Sequence, residues 1–150
     1  MGVRDDGLLL YREGHYSEAL TIFMGEEIDP AEDTDLAYFM GLCHVRLQED
    51  TEAIRLFKQV LNHEDKLIRL YQVRMLLAWL LACKDDTDAA VKYLQAIIDD
   101  GVLSPQTWAI LGYCQWCQGH VDYAIESYTK AVGLDVQNAN AINGLGYILA

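Results

Sequence analysis

Apolar residues recur along the chain at the spacing of amphipathic helices, and short polar or glycine-containing gaps separate the apolar stretches. No stretch alternates between apolar and polar residues as a half-buried strand would. The pattern therefore predicts helices throughout, joined by turns at positions such as Gly14, Pro30 and Gly119. The nine predicted helices lie at about residues 3–12, 16–28, 33–48, 51–62, 66–83, 86–99, 105–118, 121–134 and 138–150.

A short motif recurs within this helical pattern, in which a small alanine is followed four residues later by an aromatic ring. The alanines stand at positions 19, 53, 89 and 124, so successive motifs are 34, 36 and 35 residues apart. Residues four apart share one face of a helix, so each alanine allows a neighbouring helix to approach closely beside the ring. A single hairpin cannot cover its own apolar face, and this period predicts stacked repeats. The pairs are Ala19 and Phe23, Ala53 and Phe57, Ala89 and Tyr93, and Ala124 and Tyr128.

The unit from Ser104 to Asn138 resembles a tetratricopeptide repeat (TPR). Ser104 is placed to cap a helix whose first position holds Pro105, where the missing N–H is harmless. Gln115 stands where the family usually has Tyr, and Val136 stands where it usually has Pro. The residues that match the family's signature spacing are Trp108, Leu111, Gly112, Gly119, Ala124, Tyr128 and Ala131.

The resemblance implies an all-α fold, a right-handed α-solenoid of antiparallel helix hairpins. In the third unit, Leu77 is aligned with the family's glycine, which makes this unit the most divergent. The sequence stops at Ala150, where a further apolar helix has just begun, so we expect a fragment of a longer protein. The expected single array covers 1–150, with units at about 1–33, 34–67, 70–104 and 105–138 and a partial fifth at 139–150.

The formal net charge of −12 comes from 11 basic and 23 acidic residues. Nucleic-acid binding needs clustered basic residues, so partners of this class are not expected. The densest acidic stretch, Glu26 to Asp35, is interpreted as a solvated turn whose acids favour the next helix, with a docking patch for a basic partner as the alternative. No apolar run approaches the ~20 residues of a membrane span. With no targeting signal in this sequence, we expect a cytoplasmic protein.

Cysteines at positions 43, 83, 114 and 117 all lie in apolar helical segments, where a free thiol behaves as a small hydrophobic group. Cys114, Cys117 and His120 have a spacing that zinc could use, but no fourth ligand is near them, so core packing is favoured. The histidines are scattered and the acids lie in turns, so no catalytic grouping is predicted. We therefore expect no metal, no cofactor and no enzymatic activity.

In the TPR family, the first helix of each hairpin lines a concave groove that holds ligands, and this resemblance supplies the candidate site. The matching positions lack the Lys, Arg and Asn of the family's carboxylate clamp, so an apolar segment suits the groove better. The alternative is that the rings pack between hairpins. Arg74 could hold a ligand carboxylate, although pairing with an acid on an adjacent hairpin is favoured. The candidate partner-binding residues are Tyr38, Leu42, Arg74, Tyr113, Trp116, Asn143 and Tyr147.

These features predict a protein-interaction module, adaptor or chaperone-like, that binds a basic or apolar peptide or helical segment of another protein. The alternative is a structural scaffold, or a self-associating assembly component that acts through its ends or convex face. The apolar helix at the end of the sequence would favour a homo-oligomer in that case.

Overall fold

A computed structural model of the chain describes residues 2–135 and 144. All regular elements of this part are helical, as the periodicity predicts, and the ninth predicted helix lies outside the described residues except for Gly144. A 3₁₀ turn, Pro30–Glu32, precedes α3. The helices are α1 (Val3–Arg12), α2 (Tyr16–Met24), α3 (Thr34–Arg46), α4 (Asp50–His63), α5 (Leu67–Cys83), α6 (Thr87–Asp99), α7 (Pro105–Cys117) and α8 (Val121–Leu134).

The helices are organised in two compact units, Met1–Val73 and Arg74–Ala150. In the first unit α1 packs on α2 and α3 packs on α4, with α2 also contacting α3. In the second unit α7 packs on α8, and α6 contacts α7. Short turns join the members of each pair, so consecutive helices run antiparallel as hairpins. We call α1, α3, α5 and α7 the first helices.

Side-chain caps fix the starts of α3 and α7. The Ser104 hydroxyl accepts a hydrogen bond from the Thr107 N–H at 3.2 Å, and Pro105 occupies the first turn, as the sequence predicts. Asp33 Oδ1 accepts from the Leu36 N–H at 3.1 Å. Each cap satisfies an N–H that the helix itself cannot pair.

The helix α2 is shorter than predicted, because it ends at Met24 rather than near residue 28. The acidic stretch that follows it is a turn. The chain then turns, and Asp29 Oδ1 accepts a hydrogen bond from the Ala31 N–H at 3.0 Å to start the 3₁₀ turn. An aspartate that bonds its own downstream backbone competes with helix continuation. The prediction of a turn whose acids favour the next helix is thus consistent with these hydrogen bonds.

Arg4 gathers two acids of this turn. Its Nη2 lies 2.8 Å from Glu26 Oε1 and 2.9 Å from Asp33 Oδ2. The hydrogen bond to Glu26 is the largest cause that raises the pKa of Arg4. Burial tends to raise the pKa of Asp33, but the bonds from Arg4 and the Leu36 N–H outweigh it and lower that pKa. The turn is therefore held against α1 by charge-assisted hydrogen bonds.

Within each hairpin, a small residue on the first helix faces a large side chain sixteen positions later. A Cβ added to Gly41 would lie 2.6 Å from Phe57 Cε1, and one on Gly7 would lie 2.6 Å from Phe23 Cε1. Both rings are buried. The missing side chain is therefore what allows the ring to sit against the first-helix backbone.

In the third repeat, the core positions lie one residue later than the sequence alignment placed them. Ala90 and Leu94 are buried there, whereas Ala89 and Tyr93 are only half-buried. The residue sixteen positions before Leu94 is Ala78, also buried, so Ala78 and not Leu77 occupies the glycine position. This position therefore falls at 7, 41, 78 and 112, and the steps are 34, 37 and 34 residues. The regular alanine–aromatic motif was the wrong guide because this hairpin pairs Ala with Leu.

The turns inside the hairpins give the same spacing independently. Each contains one residue with a positive φ, a backbone conformation in which glycine is least strained. The four are Gly14 (85°), Gln48 (61°), Asp85 (64°) and Gly119 (82°), again separated by 34, 37 and 34 positions.

The longer second step, from Gly41 to Ala78, coincides with an extra helical turn at the start of α5. This helix begins eleven residues before Ala78, while α3 and α7 begin seven residues before their glycines. Arg69 in the added turn lies 2.9 Å from Asp35 and 4.1 Å above the centre of the Tyr38 ring. Glu64, whose side chain is only 2% exposed, lies 3.9 Å from the same guanidinium. Arg69 thus joins this turn to α3 and to the end of α4 within the first unit.

Gln115 has a hydrogen-bond partner in the fourth hairpin. The buried Ser127 hydroxyl donates to Gln115 Oε1 at 2.6 Å, joining α8 to α7. A side-chain hydrogen bond therefore stabilises this helix contact. Val136 lies outside the described residues.

Candidate functional site

The predicted groove residues of the first unit already have intramolecular contacts. Tyr38 is half-buried beneath the Arg69 guanidinium, and its ring centre lies 6.2 Å from that of Phe57. Burial is the largest cause that raises the pKa of Tyr38. Leu42 is half-buried one turn further along α3. These side chains contribute packing as well as surface.

In the second unit, Arg74 has an acidic partner, because its Nη1 lies 3.3 Å from Asp100 Oδ2. Asp100 directly follows α6, so the acid lies in the same hairpin as Arg74 and not, as expected, on an adjacent one. Trp116 is half-buried against the cluster that contains Ala124 and Tyr128, so it packs on the second helix of its hairpin. Two further candidates, Asn143 and Tyr147, lie outside the described residues.

Tyr113 is different, because 42% of it is exposed on α7, directly after Gly112. The equivalent position on α5 holds Trp79, directly after Ala78, and Trp79 is 47% exposed. The sequence alignment missed Trp79 because its shifted register put Ala78, a buried residue, on the inward face. The spacing of the positive-φ turns, which only the structure shows, supports the corrected register, since Asp85 matches Gly119 there.

Two thiols stand one helical turn beyond these rings. Cys83 follows Trp79 by four residues, Cys117 follows Tyr113 by four, and both cysteines are exposed. This corrects the expectation that all four cysteines pack in the core. We call Trp79, Cys83, Tyr113 and Cys117 the aromatic–thiol face.

The other two cysteines, Cys43 and Cys114, are buried, as predicted. Burial raises the pKa of each thiol to about 11, so both are protonated at neutral pH. A protonated thiol is a poor nucleophile and a poor metal ligand. Cys114 is therefore a packing residue.

The Tyr113 phenol interacts with the other polar groups of the aromatic–thiol face. Its hydrogen bond with Cys117 is the largest cause that raises its pKa, and the nearby Cys83 and Asp85 raise it further. Gln118, directly after α7, donates hydrogen bonds to Thr87 Oγ1 at 3.3 Å and to Asp88 Oδ1 at 2.9 Å, so the turn after α5 lies beside the end of α7. This surface thus combines two exposed rings, two exposed thiols and one carboxylate.

The part of the chain that the structure describes contains no group of side chains arranged as a metal site. Among residues 2–135 and 144, no three side chains of His, Cys, Asp or Glu are grouped as they would be around a metal ion. His120 lies beside the Tyr123 ring, with ring centres 6.0 Å apart. None of the described helices has the length and apolar character needed to cross a bilayer.

Comparison with known proteins gives a likeness in fold. No protein-family model matches the chain, and no curated protein matches it in sequence. Among solved structures, MamA 41-end from Desulfovibrio magneticus RS-1 is similar, with a TM-score of 0.82 and 21% identity over 97% of this chain and 81% of that one. MamA MSR-1 is similar with a TM-score of 0.78 and 22% identity, over 97% of this chain and 82% of its own.

The fold class predicted from the sequence is confirmed by these similarities and by the helices themselves. The chain has an all-α, TPR-like helical repeat fold. At this level of identity the likeness extends to the fold alone, so the function must be argued from the chain's own surface.

Proposed function

We propose that this protein is a protein-interaction module that binds a peptide or helical segment of a partner on the aromatic–thiol face. The observation that carries the proposal is the pair of exposed rings, Trp79 and Tyr113, at equivalent positions of two first helices. Large aromatic side chains contribute most of the affinity at many protein interfaces, because they bury much area and lose few rotamers. Two such anchors on one face suit a continuous segment.

The other candidate residues are weaker anchors for physical reasons. Tyr38 and Arg74 already contact Arg69 and Asp100, so a ligand would have to replace those contacts. Trp116 packs against the α7–α8 core, and its removal would loosen the hairpin as well as the surface. We therefore centre the binding site on Trp79 and Tyr113, with Trp116 as supporting surface. A role as an adaptor or chaperone-like protein, without enzymatic activity and in the cytoplasm, remains part of the proposal.

The proposal is tested with random dodecapeptides displayed on phage and selected against the whole chain. Enriched peptides are synthesised, and their dissociation constants are measured against wild type, Trp79→Ala and Tyr113→Ala. We expect each substitution to weaken binding by about tenfold or more, because each removes a ring that anchors the segment. Circular dichroism should show unchanged helix content, since both rings are exposed.

Tyr123→Ala is the matched control. Tyr123 is 62% exposed and lies on α8, a second helix, so its removal deletes a similar ring from a different surface. Binding should be unaffected by this change. Peptides that bind Trp79→Ala and Tyr113→Ala as tightly as wild type would refute the proposal.

Self-association is the second candidate function, and the exposed Val121 and Tyr123 on α8 favour it. Light scattering of wild type and of Tyr123→Ala over a range of concentrations tests this route. A dimer that Tyr123→Ala disrupts would support an assembly role through the second helices, while a monomer at all concentrations would exclude it.

A further inference from the structure

The aromatic–thiol face carries a negative charge at its end. Asp85 stands in the turn after α5, in the left-handed conformation with φ of 64°. Gln118, directly after α7, donates hydrogen bonds to Thr87 and Asp88, so this turn lies beside the end of α7, and the Asp85 carboxylate contributes to the raised pKa of Tyr113. Two exposed ring faces beside a carboxylate have the electrostatics of a cation receptor, since the face of an aromatic ring is negative.

The chain uses this combination for its own cations, with Arg69 at Tyr38 and with Lys130, the partner of Glu126, at Trp108. Arg69 lies 4.1 Å above the centre of the Tyr38 ring and pairs with Asp35 at 2.9 Å. Lys130 lies 4.4 Å from the centre of the Trp108 ring. In both places a basic side chain covers a ring of a first helix. Trp79 and Tyr113 are also rings of first helices, and 47% and 42% of them are exposed.

The charge balance of the chain favours the same kind of ligand. Eleven basic residues face 23 acidic ones, and Arg74, a basic residue of the second unit, is paired with Asp100. A basic segment is therefore attracted to the molecule as a whole, and the local carboxylate can orient it.

We infer that the bound segment places an arginine or lysine side chain against Trp79 and Tyr113, with its charge toward Asp85. This inference rests on the proposed function and specifies its ligand. The stem of the basic side chain packs on the rings while its charged end stays near the carboxylate and solvent. Apolar residues of the segment then occupy the rest of the face. An acidic or purely apolar segment would leave Asp85 opposed or desolvated without a partner.

The test uses the dodecapeptides selected against the whole chain. Each enriched peptide is resynthesised with arginine changed to citrulline or lysine to norleucine, which keeps the length of the side chain and removes its charge. We expect enriched peptides to contain a basic residue, and its neutralisation to weaken binding to wild type by about tenfold. The same neutralisation should have a much smaller effect on Asp85→Asn, because the partner charge has already gone.

Asp85→Asn is a conservative change, since asparagine tolerates the left-handed conformation. Asp122→Asn is its control: it removes the same charge from the second unit but on α8, and it should leave the effect of peptide neutralisation unchanged. Raised salt should weaken the charged peptides more than the neutral ones.

The outcomes separate this inference from the proposed function. Enriched peptides that lack a basic residue, yet lose affinity with Trp79→Ala and Tyr113→Ala, would overturn the inference and leave the binding face intact. Equal effects of neutralisation on wild type and on Asp85→Asn would also overturn it. Peptides indifferent to both ring substitutions would refute the proposed function itself.

Discussion

At the residue scale, two facing positions in each hairpin exchange side-chain volume, so that a smaller residue on the first helix is matched by a larger one on the second. Where the first helix has glycine, the second helix supplies a ring, as with Gly41 and Phe57. Where the first helix has Ala78, the second helix supplies the smaller Leu94. Protein interiors are close-packed, so an extra methyl on one side requires a smaller group on the other.

This exchange predicts unequal effects for two neighbouring residues of α6. Leu94→Ala should lower the free energy of unfolding by about 2–5 kcal/mol, because it leaves a cavity at a buried site. Tyr93→Ala should lower it by no more than about 1 kcal/mol, because Tyr93 is only half-buried. Chemical denaturation followed by circular dichroism measures both. The original alignment, which put Tyr93 in the core position, requires the opposite order, and observing that order would reject the corrected register.

The two rings of the candidate site differ in how well they could be predicted from the sequence. Tyr113 was predictable because its repeat has a glycine that sets the register. Trp79 was not, because its repeat has Ala78 and Leu94 where the others have a glycine and a ring, and an adjacent Ala89–Tyr93 pair imitates the motif. Burial decides between two registers one residue apart, and burial depends on tertiary packing that a single sequence does not display.

At the element scale, the turn within each hairpin requires one residue in the left-handed conformation. Glycine meets this requirement at Gly14 and Gly119, but Gln48 and Asp85 adopt it with a side chain. The Cβ of such a residue crowds the neighbouring carbonyl, which costs about 1–2 kcal/mol. The strain at Gln48 is therefore removable.

Gln48→Gly should raise the free energy of unfolding by about 0.5–1 kcal/mol, because relief of the strain exceeds the added freedom of glycine in the unfolded chain. Gln48→Ala is the control, since alanine keeps the Cβ and should give no comparable gain. Thermal and urea unfolding of both variants measure the difference. A gain of the same size for alanine would mean that the Gln48 side chain, rather than its backbone, is unfavourable.

Element boundaries also explain what periodicity could and could not predict. The eight described helices lie close to the positions that the apolar pattern predicts, because apolar side chains that recur at helical spacing are buried between helices. The bounds of α5, including its extra turn, agree with the predicted helix within one residue, whereas α2 ends four residues earlier than predicted. The contact of Arg69 with Asp35, which joins the extra turn to α3, was not predicted. It joins residues whose proximity is set by the fold, so no local pattern reveals it.

At the scale of the whole molecule, several basic residues form ion pairs with acids of the same chain. Despite the net charge of −12, the chain pairs several of its 11 basic residues with acids. Arg4, Arg55, Arg69, Arg74 and Lys130 each have an acidic partner within 4.0 Å. The unpaired excess is acidic, which agrees with a partner that brings its own positive charge.

Two buried thiols and one buried phenol, which are uncharged when protonated, make the stability of the fold depend on pH. Burial raises the pKa of Cys43 and Cys114 from 9.0 to about 11, and it is the largest cause that raises the pKa of Tyr128 from 10.0 to about 12. Below about pH 9 the folded and unfolded chains hold these protons equally. Above it the unfolded chain releases them first, so ionisation favours the unfolded state.

We therefore predict that the free energy of unfolding falls as the pH rises from about 9 to about 11. Urea titrations across this range measure the slope in wild type and in the Cys43→Ala/Cys114→Ala double variant. The variant should be less stable at neutral pH, because its core has lost two sulfur atoms, but its stability should fall less steeply with rising pH. Parallel slopes would contradict the burial of these thiols, because any effect of lysine titration on stability is common to both proteins. A flatter slope in the variant would place the thiols of Cys43 and Cys114 in the hydrophobic core.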